Sequence, residues 1–399
     1  MKRVVVIGGG YAGIYALGEL VKNKNIKITL IDKHTYHNLQ PEVYDLIANN
    51  STFADVTIDL TTLCKGFNHN HLEFKNLKVR KIDQTAKKIY TEEQETVEFD
   101  YLIMAAGTRT FFPQSIPGLN DADDIKKLHR AITFKQSFER QLFAKVRDEL
   151  KQCADTHIVV VGAGLSGVEI AAEMAHYSNK FFQRGNFSCD NLQISLISSS
   201  SSILPGLKED LINISQKRLK DLGINVITGI KLQEVGDGYC KFSNGTKIQH
   251  SFIIFTGGIE ASTISSELDV ARNGRGQIIV NEFMQTDKYD NIFAVGDIAE
   301  IKNSKGEIMP PNVTIARISG TNAGKNVLRL IDEKPLIKCD PKLDGILIAL
   351  GGKFAAGDIY GLLTVKGRLA YEIKKYVFSS YRRPLLKLIK KGYAKLKRL

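Results

Sequence analysis

No run in the 399-residue sequence approaches the roughly 18 uninterrupted apolar residues of a membrane-spanning helix, so no bilayer-crossing segment is expected. The first residues are basic and then apolar, but Val4 to Ile7 is too short for a signal-peptide core. The chain is therefore expected to stay in the cytoplasm. Cysteine is scarce. Cys64, Cys153, Cys189, Cys240 and Cys339 form no Cys-x-x-Cys, and no two lie closer than 36 positions. This excludes zinc-ribbon spacing and a thioredoxin-type pair, and it predicts reduced thiols rather than a disulfide framework. No His, Cys, Asp and Glu set has metal-ligand spacing, so no metal is expected. Disorder is excluded too, because 25% charged and 43% hydrophobic residues are ordinary for a folded chain.

Acidic residues are missing from one region in particular. From Lys366 to Leu399 there are 12 Lys/Arg and a single acid, Glu372. The first 365 residues hold 43 basic and 42 acidic residues, so nearly all of the net charge of +12 belongs to the carboxy-terminal tail. From Leu385 on, Leu385, Leu386, Ile389, Tyr393 and Leu396 recur every three to four positions, with Lys387, Lys390, Lys391, Lys397 and Arg398 mostly on other faces. This predicts a basic amphipathic helix lying on an anionic lipid surface. The alternative is a helix packing its stripe on its own domain or on a second subunit, as in a homodimer. The tail aromatics fall at helical spacing, which suits an amphipathic face better than a stacking platform, so no nucleic acid is expected.

What the sequence does contain is one motif written twice. Val4 to Ile7 is a β-branched run typical of a buried strand; Gly8-Gly9-Gly10-Tyr11-Ala12-Gly13, a helical stretch and the strand Ile26 to Ile31 follow, ending at Asp32. Gly8, Gly10 and Gly13 supply the tight turn, the close approach to a pyrophosphate and the helix–strand contact, and Asp32 is placed for ribose hydroxyls. The pattern returns at Ile158 to Val161, with Gly162, Gly164 and Gly167, a helix and the strand Leu192 to Ile197. Here the expected acid is replaced by Ser198, which neither repels a 2′-phosphate nor pairs with one. The second site therefore reads as competent for NADH or NADPH, with a vestigial site as the alternative. Glu169, in the first turn of that helix, is either a carboxylate favoured by the helix dipole or a group at the flavin–nicotinamide contact. The fold class predicted is α/β: two Rossmann-type dinucleotide-binding domains plus a carboxy-terminal membrane-associating region. The boundaries are 1–115 with 270–335, 116–269, and 336–399.

The segments VVVIGGGYAGIYA, LIDKHTYHNLQPEVY, AAGTRT, VVVGAGLSGVEIAAE and NIFAVGDIAEI, in that order, resemble the two-dinucleotide-binding-domain flavoproteins. Within these the whole chain is most similar to the type II NADH:quinone oxidoreductases, single-subunit NADH dehydrogenases that pump no protons. The resemblance implies FAD on Gly8, Gly9, Gly10, Tyr11, Ala12 and Gly13. Asp32 and Lys33 would lie at the adenosine ribose, Val79 at the adenine, and Gln40 and Pro41 beside the isoalloxazine. Ala106, Gly107, Gly296 and Ala316 would line the same cofactor, with Asp297 on a ribityl hydroxyl and Lys374 reaching the flavin–quinone region. NADH would take Gly162, Gly164, Gly167, Glu169, Ser198 and Gly257. The family's quinone motif, Ala-Gln-x-Ala-x-Gln after Pro-Pro-Thr, is altered; alignment on Gly324-Lys325 puts Ile318 and Asn322 at the glutamine positions. The implied enzyme passes a hydride from NADH to FAD and electrons to a membrane quinone, held peripherally on the cytoplasmic face of the membrane. Sulfide:quinone oxidoreductase, which needs cysteines flanking the flavin, and another FAD-dependent reductase of the same fold stay as alternatives.

Overall fold

The structure is a computed structural model that describes residues 1–147, 156–185 and 192–397. Cys153, Cys189 and Arg398 lie outside the described residues. The chain opens with β1 (Lys2–Ile7), α1 (Tyr11–Leu20) and β2 (Ile26–Asp32), followed by α2 (Val43–Ile47), α3 (Leu60–Gly66), β3 (Leu72–Asn76) and β4 (Tyr101–Met104). A second unit follows: α4 (Leu128–Arg147), β5 (Thr156–Val161), α5 (Leu165–Gly185), β6 (Leu192–Ile197), β7 (Asn225–Ile227) and β8 (Phe252–Phe255). The chain then returns through β9 (Ile292–Ala294) and α6 (Val313–Ile331).

Two parallel sheets result, ordered β9-β4-β1-β2-β3 and β7-β6-β5-β8. Val4 to Val6 and Ile158 to Val160 are almost wholly buried. Continuous β-branched runs suit strands covered on both faces. The first sheet is completed by a strand that follows the second unit. The outgoing and returning passages pair antiparallel, Thr108–Thr110 against Ile259–Ala261. α1 and α6 meet backbone to backbone: a Cβ on Gly320 would stand 2.1 Å from the Ala12 carbonyl oxygen, and one on Gly324 2.7 Å from that of Ala16.

After Pro341 the sequence suggests a strand pair between Gly345 and Gly361 and then the tail. The structure has three antiparallel strands, β10 (Gly345–Ala349), β11 (Ala355–Ile359) and β12 (Leu363–Gly367), and one 29-residue helix, α7 (Arg368–Leu396). The helix begins 17 residues before the stripe that announces it, because its first turns pack Ala370, Tyr371 and Ile373 on β11 and β12. Further on, α7 docks on α3. A Cβ on Gly66 would meet the Leu388 carbonyl at 2.1 Å, and one on Gly392 the Thr62 carbonyl at 2.0 Å. The apolar stripe is therefore divided. Leu385 is 3% exposed and Ile389 packs on the first core, while Leu386, Tyr393 and Leu396 remain exposed. Its inner half faces the protein's own α3 rather than lipid. Among the described residues no helix is long and apolar enough to cross a membrane.

Candidate functional site

The first glycine turn opens at the carboxyl end of β1. Gly8 has φ +109°, and a Cβ there would lie 2.3 Å from the Ala105 oxygen; a Cβ on Gly13 would lie 1.9 Å from the Gly8 oxygen. At Gly10, the N-cap of α1, a Cβ would meet nothing within 4 Å, and no side chain caps the helix. The free N–H groups of α1 thus look into open space, the arrangement that receives a pyrophosphate. Asp32 accepts from the Gly9 N–H at 2.6 Å through one oxygen and from the His34 N–H at 2.7 Å through the other. Lone pairs on both oxygens remain for ribose hydroxyls. Lys33 beside it is exposed. The Asp32 carbonyl binds Leu77 N–H and the Asn76 amide, which brings Val79 alongside.

The stretch 37–40 carries a second mark of a polar ligand. His37 is buried; its Nδ1 donates to the Gly9 carbonyl at 3.0 Å and its ring meets Tyr11 edge-on at 4.6 Å. Burial holds its pKa down at about 4, so the ring is neutral at physiological pH. Its Nε2, Asn38 Oδ1 and Gln40 Nε2 are buried with no hydrogen-bond partner in this structure. Buried polar atoms are rarely left unpaired, and three in four residues, next to Pro41, fit the edge of a polar ring system such as a flavin. Across the turn, Ala12, Gly296 and Ala316 crowd together, with 2.9 Å from a Cβ on Gly296 to that of Ala12. Ala106 and Gly107 follow β4 at the same rim, and the Gly107 carbonyl accepts from Ser262 N–H. Asp297 is half-buried, and desolvation pushes its carboxyl up to about 6, opposed by the Lys126 ammonium. Lys126 also lines a cleft of about 400 Å³ with Phe111, Thr256, Gly257, Gly258 and Arg275. Sequence reading missed Lys126, which carries no motif and becomes visible only when the linker folds back on β8.

The second turn repeats the first. Gly162 has φ +110°, a Cβ on Gly167 would lie 1.8 Å from the Gly162 oxygen, and Gly164 faces open space. Ser198 is buried, and its hydroxyl donates to the Ser202 carbonyl at 2.9 Å and accepts from Ser200 N–H at 3.2 Å. It is spent on its own loop.

Glu169 and Lys374, separate expectations from the sequence, form one buried ion pair, and the same Glu169 oxygen accepts from Ala349 N–H at 2.8 Å. The pair joins α5, β10 and α7. Two further acids face it. Asp45, on α2, has its carboxyl pushed up by burial, with Lys374 opposing. Glu173, one turn beyond Glu169, is pushed by burial up to about 7 and accepts from Gly352 N–H at 3.3 Å. The i, i+4 spacing of Glu169 and Glu173 was the one available signal for it.

The altered quinone motif is not gathered as expected. Ile318 packs partly buried against the first core. Asn322 is turned inward, its Nδ2 donating to the Ile337 carbonyl at 2.9 Å and its Oδ1 accepting from Asn326 at 3.1 Å. The segment around Ile337 covers that turn of α6 and takes the amide. One turn before Ile318, Thr314 meets the Tyr381 hydroxyl at 3.1 Å, and Arg317, next to Ile318, lies 5.3 Å from the Tyr381 ring.

Cys64, Cys240 and Cys339 are free and buried, and burial pushes each thiol up to about 12. Among the described residues no group of three or more His, Cys, Asp or Glu is placed to hold a metal ion.

The chain is 27% identical to the type II NADH:quinone oxidoreductase of Haemophilus influenzae, over 93% of this chain and 91% of that protein. It is 26% identical to the protein of the same name from Staphylococcus aureus, over 94% of each. The solved structure of NDH2 from Plasmodium falciparum in complex with NADH matches with a TM-score of 0.84 at 18% identity, covering 98% of this chain and 97% of that one. Sulfide:quinone oxidoreductase from Aquifex aeolicus matches at 0.80 and 22% identity, covering 98% and 92%. At these identities the structural likeness is one of fold. The sequence signature of the pyridine nucleotide-disulphide oxidoreductases spans residues 2–320, both glycine turns and the return strand included, and the chain belongs to that family.

Proposed function

We propose that the protein is an FAD-dependent NADH:quinone oxidoreductase of type II, peripheral on the cytoplasmic face of the membrane. The two turns divide the cofactors: residues 1–115 and 270–335 hold FAD, 116–269 the nicotinamide nucleotide, and 336–399 approach the membrane. The observation that carries this reading is the open Gly10 turn beside Asp32, ringed by the unpaired atoms of His37, Asn38 and Gln40. FAD, when bound, supplies the chemistry of accepting a hydride and passing on the electron pair.

The chain's own residues bind, orient and exclude water. Gly9, Gly10 and the α1 N-terminus hold the pyrophosphate, Asp32 the adenosine ribose, and Asp297, balanced by Lys126, a ribityl hydroxyl. Gly162, Gly164 and Gly167 present NADH, with Gly257 at the cleft. The Glu169–Lys374 pair closes the junction of three elements against water. Behind it Glu173, raised to about 7, retains a proton near neutral pH, where reduction of a quinone consumes one, and burial shifts Asp45 in the same direction. The acceptor is taken at Ile318, with Thr314 one turn earlier and Arg317 next to it, and not at Asn322.

Sulfide:quinone chemistry requires thiolates at the flavin, and the three described thiols are held protonated. Anaerobic stopped flow tests the proposal. The purified protein should be yellow, NADH should bleach it, and a short-chain quinone should restore the colour. Colourless protein that takes up no FAD, or yellow protein that no nicotinamide bleaches, overturns it.

A further inference from the structure

The three-residue loop between β11 and β12, Tyr360, Gly361 and Leu362, contains a β-turn closed by Leu362 N–H to the Ile359 carbonyl at 3.0 Å. Tyr360 and Gly361 have φ of +53° and +72°, the two left-handed positions of a type I′ turn. Such a turn favours Asn-Gly; a bulky aromatic at positive φ is an outlier that costs stability. Tyr360 is 67% exposed, Leu362 90% and Leu363 58%. The backbone beneath them is held firmly, with the Lys208 ammonium bonded to the Gly361 carbonyl and 3.1 Å from the Asp358 carboxylate. A rigid turn thus presents three large apolar side chains to solvent. Directly after it, Lys366 and Arg368 are exposed, and α7 carries Leu369 and Tyr376, seven residues apart on one face and also exposed, beside exposed Lys375. The only acid in this stretch, Glu372, is matched by Arg368 at 3.8 Å.

We propose that this hairpin tip is the element that enters the membrane, with the flanking basic residues seated among anionic headgroups. Tyrosine with leucines at a rim of lysine and arginine is the composition of a membrane interface, and the positive surround selects a bilayer of opposite charge. The inner half of the α7 stripe is docked on α3, and Leu362 at the tip is the most exposed large apolar side chain of the region. The inference rests on the reading that the electron acceptor is dissolved in lipid.

The test uses the full-length holoprotein and vesicles of phosphatidylglycerol and phosphatidylethanolamine in sedimentation at low salt. Leu362→Ser should weaken vesicle binding at least about tenfold, a loss of about 1.4 kcal/mol. Tyr360→Asn, which restores the favoured turn residue, should weaken binding too while leaving the melting temperature unchanged or higher. Both variants should keep their FAD and their rate with a water-soluble quinone. Unchanged vesicle binding in Leu362→Ser overturns the inference. So does loss of a dimer in light scattering with vesicle binding intact, which would make the tip a contact between copies of this chain. If NADH fails to bleach the flavin while the tip variants still lose vesicles, the functional reading fails and the membrane contact stands.

Discussion

Gly8 and Gly162 hold φ of +109° and +110°, and a Cβ on Gly13 or Gly167 would come within 1.9 or 1.8 Å of the preceding turn's carbonyl. The two turns are the same object in backbone terms, 154 residues apart. Their surroundings differ. The first is ringed by Asp32, bonded to Gly9 N–H, and by unpaired atoms at His37, Asn38 and Gln40. The second has Ser198, whose hydroxyl is engaged by its own loop. Backbone geometry makes a pyrophosphate site; side chains decide whether the dinucleotide stays as a cofactor or comes and goes as a substrate. A resident flavin needs many anchors, whereas a nucleotide that leaves every turnover needs few.

The sharpest way to break the comparison is one methyl group in each turn. Gly13→Ala forces a carbon onto the Gly8 carbonyl and should abolish FAD binding, giving colourless protein with affinity down at least about 100-fold, roughly 2.7 kcal/mol. Gly167→Ala makes the same collision in the second unit and should leave the protein yellow but unbleached by NADH. Absorbance spectra of the two variants, compared at equal protein, check this. Yellow Gly13→Ala protein would mean that the flavin is held elsewhere.

A second test is the ion pair that joins the second unit to the carboxy-terminal region. Removing one member of a buried pair typically costs about 3–5 kcal/mol, because the other charge is stranded. Lys374→Met leaves Glu169 facing Asp45 and Glu173 without their cation, and the melting temperature should fall by several degrees, more at pH 8 than at pH 5. If the pair lies at the acceptor, quinone reoxidation should slow while bleaching by NADH keeps its rate.

A smaller effect should convert the second site toward the first. Ser198→Asp places a carboxylate where it can accept from the Ala163 N–H, as Asp32 does from Gly9. Preference for NADH over NADPH, taken as the ratio of kcat/KM, should rise about tenfold or more, or about 1.4 kcal/mol of discrimination. The unaltered protein should discriminate weakly. A strong preference in the unaltered protein would show that some residue other than Ser198 reads the 2′ position.

What could be read from the sequence follows the same division. Glycine turns, buried strands and Asp32 were legible because each rests on a local pattern with one structural solution. The helix after Pro310-Pro311 carries a local signal too, because it starts at Val313, where the Asn312 side chain caps it by accepting from Ile315 N–H. Contacts between distant segments were not legible. The Leu385 stripe correctly announces a helix, but periodicity says only that a face is apolar, not whether lipid or α3 meets it. Asn322 sits at helical spacing from Ile318, yet the returning segment at Ile337 takes its amide. Lys126, Asp45 and Glu173 acquire their roles only from what is packed against them, and Tyr360 stands out only once its φ is known.

The last expected effect concerns the acid behind the ion pair. Burial raises the Glu173 carboxyl from its ordinary 4.5 to about 7. Between those values the folded chain keeps a proton that the unfolded chain has lost, so stability falls as pH rises through this window and the cost is complete above pH 7. A tenfold change in proton affinity between the folded and unfolded chain corresponds to about 1.4 kcal/mol, which bounds the cost at about 3 kcal/mol, less whatever relaxation near Lys374 recovers. Glu173→Gln keeps an oxygen for the Gly352 N–H and removes the titration. Its melting temperature should match the unaltered protein near pH 4.5 and exceed it by a few degrees at pH 8, measured by thermal scans across that range. A Glu173→Gln advantage that is flat with pH would mean that the carboxyl is ionised throughout, and the proton held behind the Glu169–Lys374 pair would have to be sought at Asp45 instead.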